Sequence, residues 1–296
     1  MSRTATVELS AGNLRLELNP SVGGSILGLE WRDGDRRTPV LRKCSNAREN
    51  ALEAASFPLV PFVNRIRSGV FIVRGREVRL EPNMAGDPSP LHGQGWLSPW
   101  RVESAGETDA LLSFDHQPGE WPWEYQAEQQ FALDEAGLSL ILTCRNISEE
   151  PMPCGLGQHP YFNCSEATRI DAQVTHALTI DEHVLPVAKI PASGRFDLRN
   201  RAVCGQGLDH GFGGWGGSTR MTDPSWPFDL ELSSRTARFF HLYSPEGGGI
   251  FAAEPVSHAN AALNAPEAEW AELGLRVLEP GEAMSLDMRL EILPTA

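Results

Sequence analysis

The chain has 296 residues, of which 22% are charged and 41% are hydrophobic, and its formal net charge at pH 7 is −14. This composition is that of an ordinary globular protein with enough chain to bury a large core. The acidic balance argues against nucleic acid or an anionic membrane surface as a partner. The sequence has no apolar segment typical of a signal peptide and no run of about 18 apolar residues. We therefore expect a soluble cytoplasmic protein.

The cysteines are odd in number and include no C-x-x-C pair. Such a set argues against a disulfide framework and against a zinc site built from thiolates. We expect reduced thiols at all five positions, in keeping with a cytoplasmic location. The positions are Cys44, Cys144, Cys154, Cys164 and Cys204.

Alternation of apolar and polar residues with a period of two recurs along the chain and predicts three β-hairpins and two late strands. The turn signals A-G-N and D-E-A-G close the first and third hairpins, and Gly75 closes the second. The hairpins cover 7–10 with 14–18, 70–80, and 125–133 with 138–146, and the late strands cover 236–244 and 283–293.

Helical signals are few. The best helical stretch is 45–56, with Ser45 as a candidate N-cap, and a shorter one is 266–273. The glycine-rich patch at 211–217 lacks the G-x-x-x-x-G-K-[ST] pattern of a phosphate-binding loop. Many short strands and few helices predict an all-β fold, a large antiparallel β-sandwich with one or two short helices. With no composition break and no internal repeat, we expect residues 1–296 to form a single domain.

Five short stretches carry residues suited to chemistry, although most of these residues also have an ordinary structural role. Arg65 can bridge strands, and His92 can lie in a turn. His159 can be a hydrogen-bonded core histidine, and Asp209 can accept hydrogen bonds in a turn. Glu254 differs because it ends the apolar run I-F-A-A, and a buried carboxylate is costly unless it is paired. The stretches are P-F-V-N-R-I-R-S-G-V-F (61–71), L-H-G-Q-G-W (91–96), G-L-G-Q-H-P-Y-F-N (155–163), L-D-H-G-F-G-G-W (208–215) and F-A-A-E-P-V-S-H-A-N-A-A-L-N (251–264).

Taken together and in this order, the stretches resemble the aldose 1-epimerase (galactose mutarotase) family. The resemblance covers the chain from about residue 12 to the C-terminus, and H-P-Y-F-N together with N-R-I is its most specific part. It implies a galactose mutarotase-like β-sandwich. The matching segments are 64–71, 91–95, 159–163, 208–215, Glu254-Pro255 and the closing L-E-P-G-E at 278–282.

Two positions depart from the family pattern. Gln94 stands where members often have a second glycine after His-Gly, and Val256 stands where many have glutamine two residues after the glutamate. The chain is also short for the galactose-specific branch. These departures concern the identity of the sugar more than the type of reaction.

The resemblance implies interconversion of the α and β anomers of a free hexose. Ring opening removes the proton of the O1 hydroxyl and protonates the ring oxygen, so a base and an acid must flank the anomeric carbon. By resemblance, Glu254 is the base and His159 is the acid. With ordinary pKa values of about 4.3 and about 6.5, we expect Glu254 to be ionised and His159 to be able to carry a proton at neutral pH.

The resemblance also implies a set of substrate-binding residues. Arg65, always charged and fork-shaped, would orient Glu254 or bind sugar hydroxyls. His92 would donate a hydrogen bond to the ring oxygen or a neighbouring hydroxyl, and Asp209 would accept from hydroxyls further round the ring. The full set is Asn64, Arg65, His92, Asp209 and Trp215.

An aromatic ring would complete such a site. Trp215 or Trp96 would stack on the apolar face of the sugar, with a core role as the alternative. Because the reaction has no redox step and no covalent intermediate, no cofactor is expected, and no metal. A small sugar is the expected partner, and the sequence leaves open a monomer or a homodimer.

Two other enzymatic functions stay open at this point. Glycoside hydrolysis uses paired carboxylates, and Asp209 with Glu254 would be such a pair. A metal enzyme would use His92, His159 and Glu254, but the chain has no close His-x-His or H-E-x-x-H spacing.

The remaining alternatives share the fold of the family. A phosphosugar epimerase would need cations near the far end of the sugar, where Arg67 and Arg74 are candidates, although the net charge of −14 argues against it. A sugar-binding module would keep the pocket without catalysis, but binding alone does not need an acid and a base.

Overall fold

The computed structural model describes residues 6–43 and 50–294, and these residues are almost entirely β-structure. The strands in the first half are β1 Val7–Ala11, β2 Leu14–Asn19, β3 Ser25–Asp33, β4 Arg36–Pro39, β5 Pro58–Leu59, β6 Val70–Val73, β7 Arg76–Arg79, β8 Arg101–Ala105, β9 Asp109–His116, β10 Tyr125–Asp134, β11 Gly137–Asn146, β12 Met152–Cys154 and β13 Gly157–Gln158. Those in the second half are β14 Tyr161–Asn163, β15 Arg169–Ala172, β16 His176–Ile180, β17 Pro186–Pro191, β18 Arg201–Ala202, β19 Leu208–Gly213, β20 Ser218–Thr222, β21 Phe228–Ser233, β22 Phe239–Ser244, β23 Ile250–Val256, β24 Arg276–Leu278 and β25 Ala283–Pro294.

Two large antiparallel sheets dominate the architecture. One has nine strands in the order β18-β15-β20-β21-β25-β11-β10-β9-β8. The other has eight, in the order β17-β16-β19-β22-β23-β13-β5, with β14 pairing onto β23. A four-stranded sheet, β1-β2-β3-β4, and the two-stranded pairs β6-β7 and β12-β24 complete the fold.

Alternation along each strand directs one face of the eight-stranded sheet into a shared core. Phe212 on β19, Phe240 on β22 and Phe251 on β23 are fully buried there. They belong to one cluster with Leu230 and Leu286 of the nine-stranded sheet. We call this side the inner face of the eight-stranded sheet, and the opposite side its outer face.

The predicted fold class and hairpins are confirmed. β1 pairs with β2, β6 with β7, and β10 with β11, each in antiparallel register, and β22 and β25 lie at the predicted late strands. The alternating apolar positions of these segments face the core, which is the pattern that predicted them.

The predicted helices are reduced to single 3₁₀ turns. Residues 45–49, including the candidate cap Ser45, lie outside the described residues. After them, Ala51–Glu53 forms one turn, capped by the Asn50 side chain, and the chain is extended again at Ala54 because 54–59 must run alongside the sheet. Around 266–273, only Glu267–Glu269 is a 3₁₀ turn. The described residues contain five such turns: Ala51–Glu53, Arg67–Gly69, Gly194–Phe196, Ala262–Asn264 and Glu267–Glu269.

The prediction that every thiol is reduced is wrong for one pair. Cys164 and Cys204, 40 positions apart, are joined by a disulfide with a Cα–Cα distance of 5.6 Å. Both lie beside the same glycine turn, since the Cys164 N–H donates to the Gly249 carbonyl and the Gly249 N–H donates to the Cys204 sulfur. Cys144 and Cys154 are free and buried, and Cys44 lies outside the described residues.

Across residues 6–43 and 50–294, the structure has no helix with the length and apolar character needed to cross a membrane.

Candidate active site

The outer face of the eight-stranded sheet carries a cluster of buried polar side chains. On three neighbouring strands, His241 of β22 lies opposite Glu254 of β23, and Tyr243 of β22 lies opposite Asp209 of β19. Because paired residues and every second residue along a strand share a face, all four side chains project from the same side. The sheet thus gathers chemistry-bearing residues that are far apart in the chain.

His159 and Glu254 form a direct pair at the centre of this cluster. The His159 Nε2 atom lies 3.3 Å from Glu254 Oε1, and the two residues are only 7% and 1% exposed. Among the described residues, neither His159 Nδ1 nor Glu254 Oε2 has a hydrogen-bond partner. Buried polar atoms are almost always hydrogen-bonded, so two such atoms on adjoining groups mark a place where a polar ligand would bind.

Packing fixes the plane of the His159 ring. The backbone N–H of His159 donates to the backbone carbonyl of Phe57 at 3.1 Å, and the Phe57 ring stacks on the imidazole with a centroid distance of 4.6 Å. Tyr161 packs at 4.5 Å from the imidazole and is itself covered by the Arg42 guanidinium, 3.6 Å from its centroid. Glu254 therefore faces an imidazole with little freedom to turn.

Burial decides which member of the pair holds the proton. Removal from water, aided by the charge of His241, lowers the pKa of His159 to about 3. The same loss of water raises the pKa of Glu254 to about 8, although His241 and Arg65 oppose the rise. At neutral pH, the proton thus resides on Glu254 and His159 is neutral. This assignment differs from the expectation of an ionised Glu254, because sequence alone does not show that both groups are buried.

Asn64 and His92 hold each other beside this pair. Both have left-handed backbone conformations, with φ of 58° and 59°. The Asn64 N–H donates to His92 Nδ1 at 3.1 Å, and the His92 N–H donates to the Asn64 carbonyl at 3.0 Å. An accepting Nδ1 places the ring proton on Nε2. Burial and the nearby charges of His159 and Arg65 keep the pKa of His92 well below its usual value, so the ring is a neutral donor.

The glycine after His92 is required by a close approach of two chain segments. Gly93 has φ of +71°, and a Cβ atom there would lie 2.1 Å from the carbonyl oxygen of Val60. Only glycine fits this position, which explains the His-Gly dipeptide in physical terms.

Arg65 is held by carboxylates and amides and has no recorded contact with Glu254. Its Nε donates to Asp87 Oδ2 at 2.8 Å, its Nη1 donates to Asn64 Oδ1 at 3.1 Å, and Nη1 lies 4.0 Å from Asp209 Oδ2. These partners aim the guanidinium toward the side of the cluster that contains Asp209. Arg65 thus lies in the cluster, as predicted. The carboxylate that it pairs with directly is Asp87, whereas the prediction had Arg65 orienting Glu254.

Asp209 is paired with a histidine that the sequence analysis passed over. His241 Nε2 lies 2.6 Å from Asp209 Oδ1. Burial alone would raise the pKa of Asp209, but His241 and Arg65 outweigh it and lower the pKa. Asp209 is therefore ionised at neutral pH and is the exposed edge of the cluster, with 27% of its side chain accessible.

The two tryptophans do not line the cluster as a stacking platform. Trp215 is in the core, where it stacks on Phe240 at 5.3 Å and its Nε1–H donates to Ser218 and Thr219. Its predicted sugar-binding role does not fit this position, because β19 ends at Gly213 and Gly214, with φ of 62°, breaks the alternation that would otherwise place Trp215 on the outer face beside Asp209. Trp96 is also fully buried and packs behind Phe57 at 5.4 Å.

The structure thus gathers most of the predicted residues and adds three others. His241 follows the alternation of an otherwise apolar strand, and that isolated polar position was the signal for it. No local sequence signal points to Asp87 or Phe57, which reach the site only through tertiary packing. The predicted residues that the structure brings together are Asn64, Arg65, His92, His159, Asp209 and Glu254.

No group of three or more histidine, cysteine, aspartate or glutamate side chains in the described part of the chain is arranged to hold a metal ion.

The family model for aldose 1-epimerase matches residues 6–291 of the chain. An uncharacterized protein of Escherichia coli K12, YphB, is 32% identical over 295 residues, covering 96% of this chain and 97% of its own. The crystal structure of an E. coli K12 protein, provisionally assigned as an aldose 1-epimerase, superposes with a TM-score of 0.87 at 31% identity, covering 98% and 99% of the two chains.

More distant structures share the fold. A galactose mutarotase-like protein of Clostridium acetobutylicum has a TM-score of 0.83 at 19% identity, covering 97% of this chain and 95% of its own. A galactose 1-epimerase of Lactobacillus acidophilus has a TM-score of 0.78 at 16% identity, covering 100% and 97%. With the family model matched over nearly its whole length, the chain belongs to the aldose 1-epimerase family.

Proposed function

We propose that the protein is an aldose 1-epimerase that interconverts the α and β anomers of a free hexose by acid–base opening and closure of the ring. The observation that carries this proposal is the buried His159–Glu254 pair, with 3.3 Å between Nε2 and Oε1 and, on each side chain, one polar atom that has no partner within residues 6–43 and 50–294. Membership of the aldose 1-epimerase family supports it.

The proton balance of the pair fits this reaction. When a cyclic sugar opens, Glu254 takes the proton of O1 and His159 gives a proton to the ring oxygen, which leaves a protonated Glu254 and a neutral His159. That is the state which burial favours in the unliganded protein. Binding of the cyclic sugar then requires one proton to pass from Glu254 to His159 within the pair. Both forms hold one proton in total, so no external acid or base is consumed.

Rotation about the C1–C2 bond and closure on the other face complete the reaction. In closure, Glu254 returns its proton to the carbonyl oxygen and His159 takes the proton of the ring hydroxyl. His92, as a neutral Nε2–H donor, would stabilise the ring oxygen or a neighbouring hydroxyl while charge develops there. Asp209, ionised and at the exposed edge of the cluster, would accept hydrogen bonds from hydroxyls further round the ring.

The phosphosugar alternative gains no support from its candidate cations. Arg67 and Arg74 are both about half exposed and lie beside acidic groups, Arg67 with Asp181 at 3.4 Å and Arg74 with Glu279 at 3.2 Å. Within residues 6–43 and 50–294, neither arginine forms a hydrogen bond or ion pair with a residue of the cluster. A free hexose is therefore the substrate class that we propose.

Polarimetry tests the proposal directly. Freshly dissolved α-glucose, α-galactose and α-glucose 6-phosphate are followed to equilibrium with and without the purified protein. We expect faster decay to the unchanged equilibrium rotation for at least one of the free hexoses and a smaller effect on the phosphate. Decay at the spontaneous rate for both hexoses would contradict the proposal, and release of a reducing sugar from a synthetic glycoside would favour hydrolysis instead.

A further inference from the structure

His241 is the most completely engaged histidine of the cluster. It is 3% exposed and lies on β22, between Asp209 on β19 and Glu254 on β23. Its Nε2 lies 2.6 Å from Asp209 Oδ1, and its Nδ1 lies 3.2 Å from Asn64 Nδ2. Both ring nitrogens are therefore committed to protein groups, so the ring itself is not the group that touches a sugar.

The hydrogen bonds around His241 have one consistent direction. Arg65 has only donors, so its Nη1–H donates to Asn64 Oδ1 at 3.1 Å, and this assigns the Asn64 amide nitrogen to the other side. When the ring is neutral, that nitrogen donates to His241 Nδ1, which leaves the ring proton on Nε2, where it is donated to Asp209. The four side chains form a relay in which each member orients the next.

The relay ends on one oxygen of the Asp209 carboxylate. Oδ1 accepts from His241 at 2.6 Å, whereas Oδ2 lies 4.0 Å from Arg65 Nη1, beyond hydrogen-bond distance. The Asp209 side chain is more accessible than that of Arg65, His241 or Glu254. Anchoring Oδ1 thus fixes the direction in which Oδ2 can accept a hydroxyl hydrogen.

We propose that His241 is a positioning residue of the epimerase reaction, one that locks Asp209 through Oδ1 so that Oδ2 accepts a hydroxyl of the bound sugar. The inference rests on the proposed function. It assigns to His241 an effect on sugar binding, and hence on KM, with a smaller effect on the acid–base step at Glu254 and His159.

Protonation of His241 changes only the Asn64 end of the relay. A second proton would go to Nδ1 and face the donor nitrogen of Asn64, whereas the Nε2–H would still donate to Asp209. The titratable and charged groups near the ring are Asp209, Glu254, Arg65, His92, His159 and His210, and the two carboxyl groups outweigh burial, which opposes protonation, so the pKa of His241 is raised. The proposal therefore predicts that KM of the wild type does not increase as the pH falls through the pKa of His241, because the donor to Asp209 is present in both states.

Two substitutions separate positioning from packing. His241→Phe keeps the size of the ring and removes both hydrogen bonds, and we expect KM to rise about tenfold with kcat changed less than about threefold. His241→Gln keeps a donor toward Asp209 but does not titrate. It should recover most of the affinity at pH 8 and also at lower pH. His176→Gln, on the outer face of β16 in the same sheet, is the matched control and should change neither constant.

The tautomer is measured independently of activity, by ¹⁵N NMR of histidine-labelled protein. We expect His241 to carry its proton on Nε2, and Asp209→Asn to lower the pKa of the ring. A neutral ring with its proton on Nδ1, or an unchanged KM in His241→Phe, would overturn the proposal. An inactive wild type would instead overturn the proposed function, and the NMR result would still show whether the relay exists.

Discussion

The two faces of the eight-stranded sheet follow opposite rules. On the inner face, Phe212, Phe240 and Phe251 are fully buried against apolar side chains of the other large sheet. On the outer face of the same strands, His241 and Glu254 are as well buried, yet Glu254 keeps an oxygen without a hydrogen-bond partner among the described residues. The first arrangement stabilises the fold, whereas the second costs free energy that only a ligand would recover.

The same contrast separates two histidines that are both buried. His258 is satisfied on both sides, because its Nε2 accepts from the Val63 N–H at 3.1 Å and its Nδ1 lies 2.7 Å from the Ala259 carbonyl. His159 Nδ1 has no partner in the part of the chain that the structure describes, and a carboxyl group lies at its other nitrogen. Burial by itself therefore does not distinguish the two histidines, whereas an unsatisfied nitrogen beside an acid makes His159 the candidate.

The largest effect that we predict is on the acid–base pair. His159→Asn removes the imidazole that exchanges a proton with the ring oxygen, and kcat for mutarotation should fall by about 10²- to 10⁴-fold. Polarimetry with the preferred hexose measures this loss. His176→Asn serves as the control on the same outer face and should retain the wild-type rate, and a His159→Asn rate within a factor of two of wild type would remove His159 from the mechanism.

Substitutions on the inner face should lower the stability of the protein. Phe212→Ala deletes a fully buried ring between the two sheets, and the free energy of unfolding should fall by about 3–5 kcal/mol. Urea denaturation measures the change. Val187→Ala, at a 61% exposed position of β17, should stay within about 0.5 kcal/mol of wild type. A comparable loss in both variants would mean that the two sheets do not share the core described above.

On the outer face, replacing the Glu254 carboxyl group by a neutral amide should stabilise the protein at high pH. Glu254 has a folded pKa of about 8 against an ordinary value of 4.5, so the native state binds more protons than the unfolded state between these values. Wild-type stability therefore falls as the pH rises through this window. Glu254→Gln abolishes that dependence and should be more stable than wild type at pH 9, by about 1–3 kcal/mol, with little difference at pH 4.

Denaturation series at the two pH values decide this point. Glu231→Gln, on β21 of the other large sheet, is the control and should show the wild-type dependence on pH. A Glu254→Gln protein that is less stable than wild type at pH 9 would show that the carboxylate is stabilised in the fold, contrary to the effect of its burial.

The smallest predicted effect concerns the residue that holds Arg65. Asp87 and Arg65 form a buried ion pair at 2.8 Å, so Asp87→Asn weakens the orientation of the guanidinium without removing it. We expect kcat/KM to fall about three- to tenfold, mainly through KM. Asp229→Asn, which alters the exposed pair of Arg220 and Asp229, should leave both constants unchanged. Equal effects of the two substitutions would argue against a specific role for Asp87.

Much of this fold could be predicted from sequence because its signals are local. Period-two alternation located the hairpins, and Glu254 stood out as a charge at the end of an apolar run. The reduction of the predicted helices to 3₁₀ turns could not be foreseen, since their residues have fair helical propensity and tertiary contacts decide against it. The Cys164–Cys204 disulfide likewise depends on a glycine turn that approaches both residues only in the folded chain.

The sequence indicated which residues lie in the cluster better than it indicated which of them carries the proton. Residue types and order named Glu254, His159, His92 and Asp209, which the fold brings together, but ordinary pKa values gave a different proton assignment because desolvation is a property of the folded protein. His241 was missed since its role depends on cross-strand register with Glu254 and Asp209. For Trp215, residue type suggested a sugar platform, but the left-handed backbone at Gly214 breaks the strand alternation and the ring packs in the core.

The most direct test of the central claim is the mutarotation rate of Glu254→Gln at pH 7, followed by polarimetry at saturating hexose. The account predicts a folded protein whose kcat is lower by about 10²- to 10⁴-fold, while Glu231→Gln keeps the wild-type rate. A Glu254→Gln protein that equilibrates the anomers as fast as wild type would contradict the assignment of the outer-face pair as the acid–base centre.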